Sequence, residues 1–224
     1  MKYLILKNST NILACSKEAS KDLFIKEAEI INNGIEINRF INHDYTKEEY
    51  RKLKNLPKDA FIIGHVGGFR PEKNHVKLID IFLSLNKKIK NLHLVMVGEG
   101  ETKPTVKSLI NKYEIEDNVH FLGARKDIEV ILKTFDVFVF PSLYEGLGIA
   151  IIEAQVSGLY CVISNTIPRT VDITGNVCFL PLEADIEQWG NAILDHRCKS
   201  INKSKIKDFD IKIITERMYN IYSN

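Results

Sequence analysis

The sequence is poor in the groupings that mark a metal centre, a disulfide framework or a membrane anchor. Its four cysteines, Cys15, Cys161, Cys178 and Cys198, fall at wide and irregular spacings with no C-x-x-C. That excludes a zinc knuckle and a stapled secreted scaffold, and fits a reducing compartment. Six histidines are scattered without an H-x-x-x-H or H-E-x-x-H spacing, so no bound metal is expected. The opening MKYLILKNST carries an apolar run of only four residues after its lysine, too short for a signal core or a membrane span. A cytoplasmic, unexported chain is expected. Charge of one sign is also missing: 31 Lys and Arg against 29 Asp and Glu leave a formal net charge of +2. Nothing in that balance calls for nucleic acid or an acidic membrane surface.

What is present is enough apolar material for a core, 45% of 224 residues, which suits one domain with an appendage. From residue 60 onward, strand-like and helix-like runs alternate. AFIIGHV (60–66), LHLVMVG (92–98), NVHFLG (118–123), DVFVFP (136–141), LYCVISN (159–165) and VCFLP (177–181) read as strands. HVKLIDIFLSL (75–85) reads as a helix with Val76, Ile79, Phe82 and Leu83 on its apolar face. PTVKSLINKY (104–113), DIEVILKTF (127–135) and GIAIIEAQVS (148–157) read as further helices. Near-continuous apolar strands between helices indicate a parallel sheet covered on both faces. The expected class is a doubly wound, Rossmann-like α/β domain, in which ligands bind beyond the carboxyl ends of the strands.

Two stretches lie at such ends. In GHVGGFRPEKNHVKLIDIF (64–82), Gly67 and Gly68 leave room for a ligand to approach the backbone. A helix starting near Asn74 offers unsatisfied N–H groups, and Arg70 and Lys73 add full charges. The set suits a phosphate or diphosphate; an ordinary β-α turn with solvated cations is the competing reading. G-K-[ST] is absent, so it is not a Walker loop. In FPSLYEGLGIAIIEAQVSG (140–158), Glu145 stands at the mouth of a helix and Glu153 more than one turn inside it. Carboxylates at two depths can hold separate hydroxyls of one ligand. The alternative is a helix-capping Glu145 and a solvated Glu153, but the apolar company of Ile149, Ile151, Ile152 and Ala154 disfavours solvation of Glu153.

The spacing E-G-L-G-x-x-x-x-E after FPS resembles the E-x7-E signature of family-4 retaining glycosyltransferases of the GT-B fold. GHVG…PEKNH, VMVGEGE (95–101), VHFLGARKDI (119–128) and SNTIP (164–168) match that family in the same order, with the exopolysaccharide and capsular branch most alike. The resemblance implies transfer of a hexose from a nucleotide sugar, a UDP-sugar favoured, with retention and with no metal or cofactor. It assigns Lys73 to the donor diphosphate, Glu153 to the ribose hydroxyls and Glu145 to the donor sugar. Gly146, Leu147 and Gly148 would lie beside the phosphates and sugar, and Leu122, Gly123 and Arg125 would border the base.

The pattern departs from the family at Gly68, where the family carries an arginine; here an arginine stands at Arg70 instead. The resemblance further implies that residues 1–40 end an acceptor domain, that 41–59 form a linker with a short helix opened by Thr46 and Glu49, that 60–208 bind the donor, and that 209–224 form the terminal helix. Most of the acceptor half would then lie outside this chain. A glycan or lipid-linked acceptor, a separate acceptor-domain chain, self-association through uncovered apolar edges and a peripheral place at the inner membrane face are the corresponding expectations. Two rivals stay open: a non-catalytic nucleotide-sugar binding or regulatory protein, and a GT-B-like nucleotide-sugar epimerase.

Overall fold

The computed structural model describes residues 11–15, 20–21, 28–42, 44–195 and 202–223. Six strands form one parallel sheet: β3 (Phe61–Val66), β4 (Leu92–Val97), β5 (Val119–Phe121), β6 (Val137–Phe140), β7 (Tyr160–Ser164) and β8 (Val177–Leu180). Their spatial order is β5-β4-β3-β6-β7-β8, as expected of a doubly wound domain. All six side chains of β4 and all four of β6 are buried, which explains why these strands read as unbroken apolar runs. A separate parallel pair, β1 (Leu13–Ala14) with β2 (Glu29–Ile30), comes from the N-terminal segment. The helix expected within 11–24 falls mostly outside the described residues.

The helices follow the expected order. They are α1 (Ile37–Ile41), α2 (Lys47–Leu53), α3 (His75–Asn86), α4 (Lys103–Lys112), α5 (Ile128–Leu132), α6 (Ile149–Val156), α7 (Ile186–Leu194) and α8 (Ile211–Ser223). α3 buries the expected Ile79 and Phe82 together with Leu78, Ile81 and Leu85, and Leu83 packs partly on the core, but Val76 is 46% exposed and is corrected. The buried positions hold the 3- and 4-residue spacing of one stripe. α7 was not anticipated, because IEQWGNAIL mixes polar residues and a glycine into a short apolar pattern. It docks through the fully buried Trp189 and Ile193, and a Cβ at Gly190 would lie 3.3 Å from Leu85 of α3.

The segment before the sheet is fastened by polar bonds. α2 opens with the anticipated capping box, in which the Thr46 hydroxyl accepts from the Glu49 N–H and the Glu49 carboxylate accepts from the Thr46 N–H. Arg51, 4% exposed, donates to the carbonyls of Thr134, Lys58 and Ala60 and to Asp136 Oδ2 at 2.6 Å. The same Asp136 oxygen accepts the Ile62 N–H, so one buried guanidinium ties α2 to the start of β3 and β6. Lys133 of α5 donates to the Phe40 carbonyl and holds the end of α1.

The ligand-binding consequence of the topology lies at the centre of the sheet. β3 pairs with β4 as far as Val66↔Val97, and β6 pairs with β7 as far as Phe140↔Ile163. Between β3 and β6 the register is only Ile63↔Val137 and Gly64↔Phe138. Beyond those pairs the two halves part, and the reversal of strand order leaves a crevice there.

Candidate functional site

One wall of the crevice is the turn after β3. A Cβ at Gly98 would stand 2.1 Å from the Gly67 carbonyl oxygen, and Gly98 has φ of +142°; the loops after β3 and β4 touch backbone to backbone, which only glycine permits. Phe69 is fully buried and anchors the turn from below. A single 3₁₀ turn, Pro71–Lys73, follows, and Asn74 in the left-handed region (φ 52°) redirects the chain into α3. The helix begins at His75 as expected, with Lys73 on the preceding turn.

The other wall is the loop after β6. Ser142 Oγ donates 2.7 Å to the Glu72 carbonyl and lies 2.7 Å from Glu145 Oε1, while the Leu143 N–H also donates to Glu72 O. The Ser142 carbonyl in turn accepts from Ser164 and Thr166. These bonds lock the two walls together. As a result, Lys73 Nζ donates directly to Glu145 Oε1 across 72 residues of sequence, with the ammonium 5.2 Å from the centre of the Phe140 ring. Two residues singled out independently from the sequence thus form one ion pair at the switch point.

Glu153 is the fifth residue of α6 and half-buried, near Glu129 and Arg39. Its side chain makes no hydrogen bond or ion pair among the described residues. Burial, reinforced by the nearby Glu129 carboxylate and partly offset by Arg39, raises its pKa from 4.5 to about 7. Arg39 is itself engaged, donating 2.8 Å to Glu129 Oε1 and 3.1 Å to the Lys126 carbonyl. A half-buried carboxylate without a partner is a cost to the fold, and such groups cluster where ligands are bound.

The remaining expected residues divide. Gly148, φ +70°, is the N-cap of α6, and Leu147 is buried. Gly146 has no heavy atom within 4 Å of a would-be Cβ and is exposed, two residues from Tyr144, 66% exposed. Arg70 folds back over Gly68: its Nε lies 3.9 Å from where a Gly68 Cβ would stand. In the loop after β5, the Leu122 N–H donates to Met96 O, and the Gly123 carbonyl accepts from Gly98 N. Arg125 is bidentate to Asp127 at 2.8 Å and holds that carboxylate well below the usual range. Sequence reading gave no role to Ser142, although its FPS context was noted, nor to His65 or the Arg39–Glu129 pair.

The crevice can hold an anion with a lysine, backbone N–H groups and a helix start, and can meet hydroxyls with two carboxylates at different depths. The family model described as glycosyl transferases group 1 matches residues 46–188. The chain belongs to that family. EpsF of Bacillus subtilis, named as a glycosyltransferase, is 34% identical over 197 residues, 85% of this chain and 51% of that protein. A UDP-Gal:alpha-D-GlcNAc-diphosphoundecaprenol alpha-1,3-galactosyltransferase of Escherichia coli is 34% identical over 189 residues, 79% of this chain and 46% of its own. The capsular polysaccharide biosynthesis glycosyltransferase CapH of Staphylococcus aureus is 31% identical over 236 residues, covering 99% and 62%. The chain therefore spans about half the length of the first two relatives. Among solved structures, Anabaena HepE in complex with UDP and glucose superposes with a TM-score of 0.80 at 22% identity, over 99% of this chain and 65% of that one. Like the lipopolysaccharide glycosyltransferase WaaG (TM-score 0.77, 18% identity, 93% and 61%), it shares the fold of this group 1 chain. No helix among the described residues is long and apolar enough to cross a membrane.

Proposed function

We propose that this chain provides the donor site of a polysaccharide glycosyltransferase that moves a hexose from a nucleotide sugar, a UDP-sugar favoured, to a glycan or lipid-linked acceptor with retention. The observation that carries the reading is the Lys73–Glu145 pair spanning the switch point, with the unpartnered Glu153 deeper on α6. An arriving diphosphate takes the Lys73 ammonium from Glu145. The freed carboxylate then faces the sugar, and Glu153 accepts from the ribose hydroxyls. Gly146 to Gly148 and the start of α6 lie against the phosphates, while Gly67, Gly68 and Arg70 line the opposite wall. Cations and helix N–H groups stabilise the charge that develops on the leaving diphosphate, so the residues assigned need neither metal nor cofactor.

In this reading residues 1–40 belong to the acceptor side, 41–59 link, 60–208 bind the donor and 209–224 return as the terminal helix. The acceptor half is supplied by further sequence or by a separate chain, at a cytoplasmic location that a lipid-linked acceptor extends to the inner membrane face. Exposed Ile213, Tyr219 and Tyr222 on α8 favour self-association. Light scattering at high protein concentration is expected to show species larger than a monomer, and a strictly monomeric chain counts against it.

A second reading, a non-catalytic nucleotide-sugar binder, is favoured by the glycine at 68. An epimerase requires acid and base groups facing the sugar from an acceptor side, and is distinguished by NMR of the sugar after incubation. Calorimetric titration with UDP, GDP and their sugar conjugates tests the donor site itself. One nucleotide family is expected to saturate. Lys73→Ala is expected to weaken it only about tenfold, since the phosphate must displace Glu145 and gains the difference of two charge-assisted bonds, on the order of 1–2 kcal/mol. A folded wild-type chain that binds none of these ligands overturns the reading.

A further inference from the structure

Beneath the Gly67–Lys73 turn lies a histidine that the donor-site reading does not use. His65 is the fifth residue of β3 and fully buried. Its Nδ1 lies 2.9 Å from the carbonyl oxygen of Val139 in β6. A carbonyl can only accept, so the Nδ1 carries the proton, and the neutral ring leaves Nε2 with a lone pair. That Nε2 has no partner, and a Cβ at Gly67 would meet it at 3.1 Å and the Lys73 stem at 3.5 Å. The ring is stacked on Phe140 at 5.0 Å and edge-on to His75 at 4.8 Å. Burial holds its pKa well below the ordinary range, in keeping with a neutral ring.

The position of the bond matters more than its existence. Backbone pairing between β3 and β6 is limited to Ile63↔Val137 and Gly64↔Phe138, and Val139 is the next residue of β6, where the sheet parts. The imidazole adds a side-chain bond from β3 to β6 one residue past their last backbone pair, while touching the underside of the turn that carries Lys73. Phenylalanine would fill the same space against Phe140 without an orphaned nitrogen. What the imidazole adds is the N–H at Nδ1.

We propose that His65 is a positioning residue of the donor crevice, whose Nδ1–H bond to Val139 sets the separation of the two sheet halves and so holds the Gly67–Lys73 turn in register with Phe140 and Glu145. The proposal rests on the donor-site reading for its ligand readout, and a ligand-free readout separates the two. Asparagine places an amide near the Nδ1 position, glutamine near Nε2, and phenylalanine keeps only the ring. With UDP-sugar or UDP as the probe in calorimetry, His65→Phe is expected to bind at least tenfold more weakly than wild type and His65→Asn within about threefold of it. Without ligand, hydrogen exchange of the amides of residues 67–70, 72 and 73 is expected to speed at least fivefold in His65→Phe relative to those of β7, and to be restored in His65→Asn. If His65→Phe does not fold, Asn against Gln decides, with Asn expected to be tighter and better protected. Wild-type affinity and exchange in His65→Phe, or an Asn variant no better than Phe or Gln, overturns the proposal. Failure of wild type to bind any nucleotide overturns the donor reading alone, since the exchange comparison still decides the role of His65.

Discussion

At pH 8 the Glu153→Gln variant is expected to be more stable than wild type and to bind nucleotide about a hundredfold more weakly. Glu153 has a folded pKa of about 7 against an ordinary 4.5, so the folded chain holds a proton there that the unfolded chain releases. The stabilisation from that proton is complete below pH 4.5 and is lost as pH rises through 7. Above pH 7 the wild type carries the desolvation cost of a half-buried carboxylate, roughly 2 kcal/mol after allowance for its partial exposure. Glutamine is neutral throughout and escapes it. On the proposed donor-site reading binding moves the other way, because the ionised carboxylate would accept two ribose hydroxyls through charge-assisted bonds, together about 3 kcal/mol. Wild-type affinity should therefore rise between pH 6 and pH 8, and that of the variant should stay flat. Urea unfolding and calorimetry at the two pH values test this. A variant less stable than wild type at pH 8 would mean that Glu153 has a structural partner; a variant that binds normally would remove it from the site.

Arg51→Met is expected to cost about 3–5 kcal/mol of stability, the largest loss from any one polar residue of the linker. The guanidinium satisfies three carbonyls and the Asp136 carboxylate in a place that is 4% exposed. Methionine fills most of the volume but leaves those acceptors without a donor, and Asp136 keeps only Lys47 at 2.8 Å and the Ile62 N–H. Lys47→Ala is the control. Its ammonium reaches the same carboxylate from solvent, with 47% of the side chain exposed, and its removal should cost less than about 1 kcal/mol. Urea midpoints for the two variants measure the difference. A loss below about 1 kcal/mol for Arg51→Met would show that α2 is not held through this network.

The alternation of strands and helices was legible because the central strands are buried on both faces and α3 along one stripe, so the local pattern reports the local environment. The capping box at Thr46 and Glu49 was legible for a similar reason, since both partners lie within one turn. α7 was not, although Ile186, Trp189 and Ile193 sit at helical spacing, because Gly190 and the polar residues between them dilute so short a pattern. The face of α3 was misread only at Val76, which is apolar yet 46% exposed among the described residues.

The same division holds for the site. By itself the sequence determined the sheet class, and it singled out the glycine turn, Lys73, Glu145 and Glu153 as candidates, because these are marked by residue type, short spacing and a family resemblance. Only the tertiary structure decided that Lys73 meets Glu145, that Ser142 locks their loops together through Glu72, that Arg125 is spent on Asp127, and that His65 bridges to Val139. Each of those joins residues that are distant in sequence or that compete for one partner. Strand order brings them together, and strand order is fixed by packing across the whole sheet, which no short stretch of sequence records.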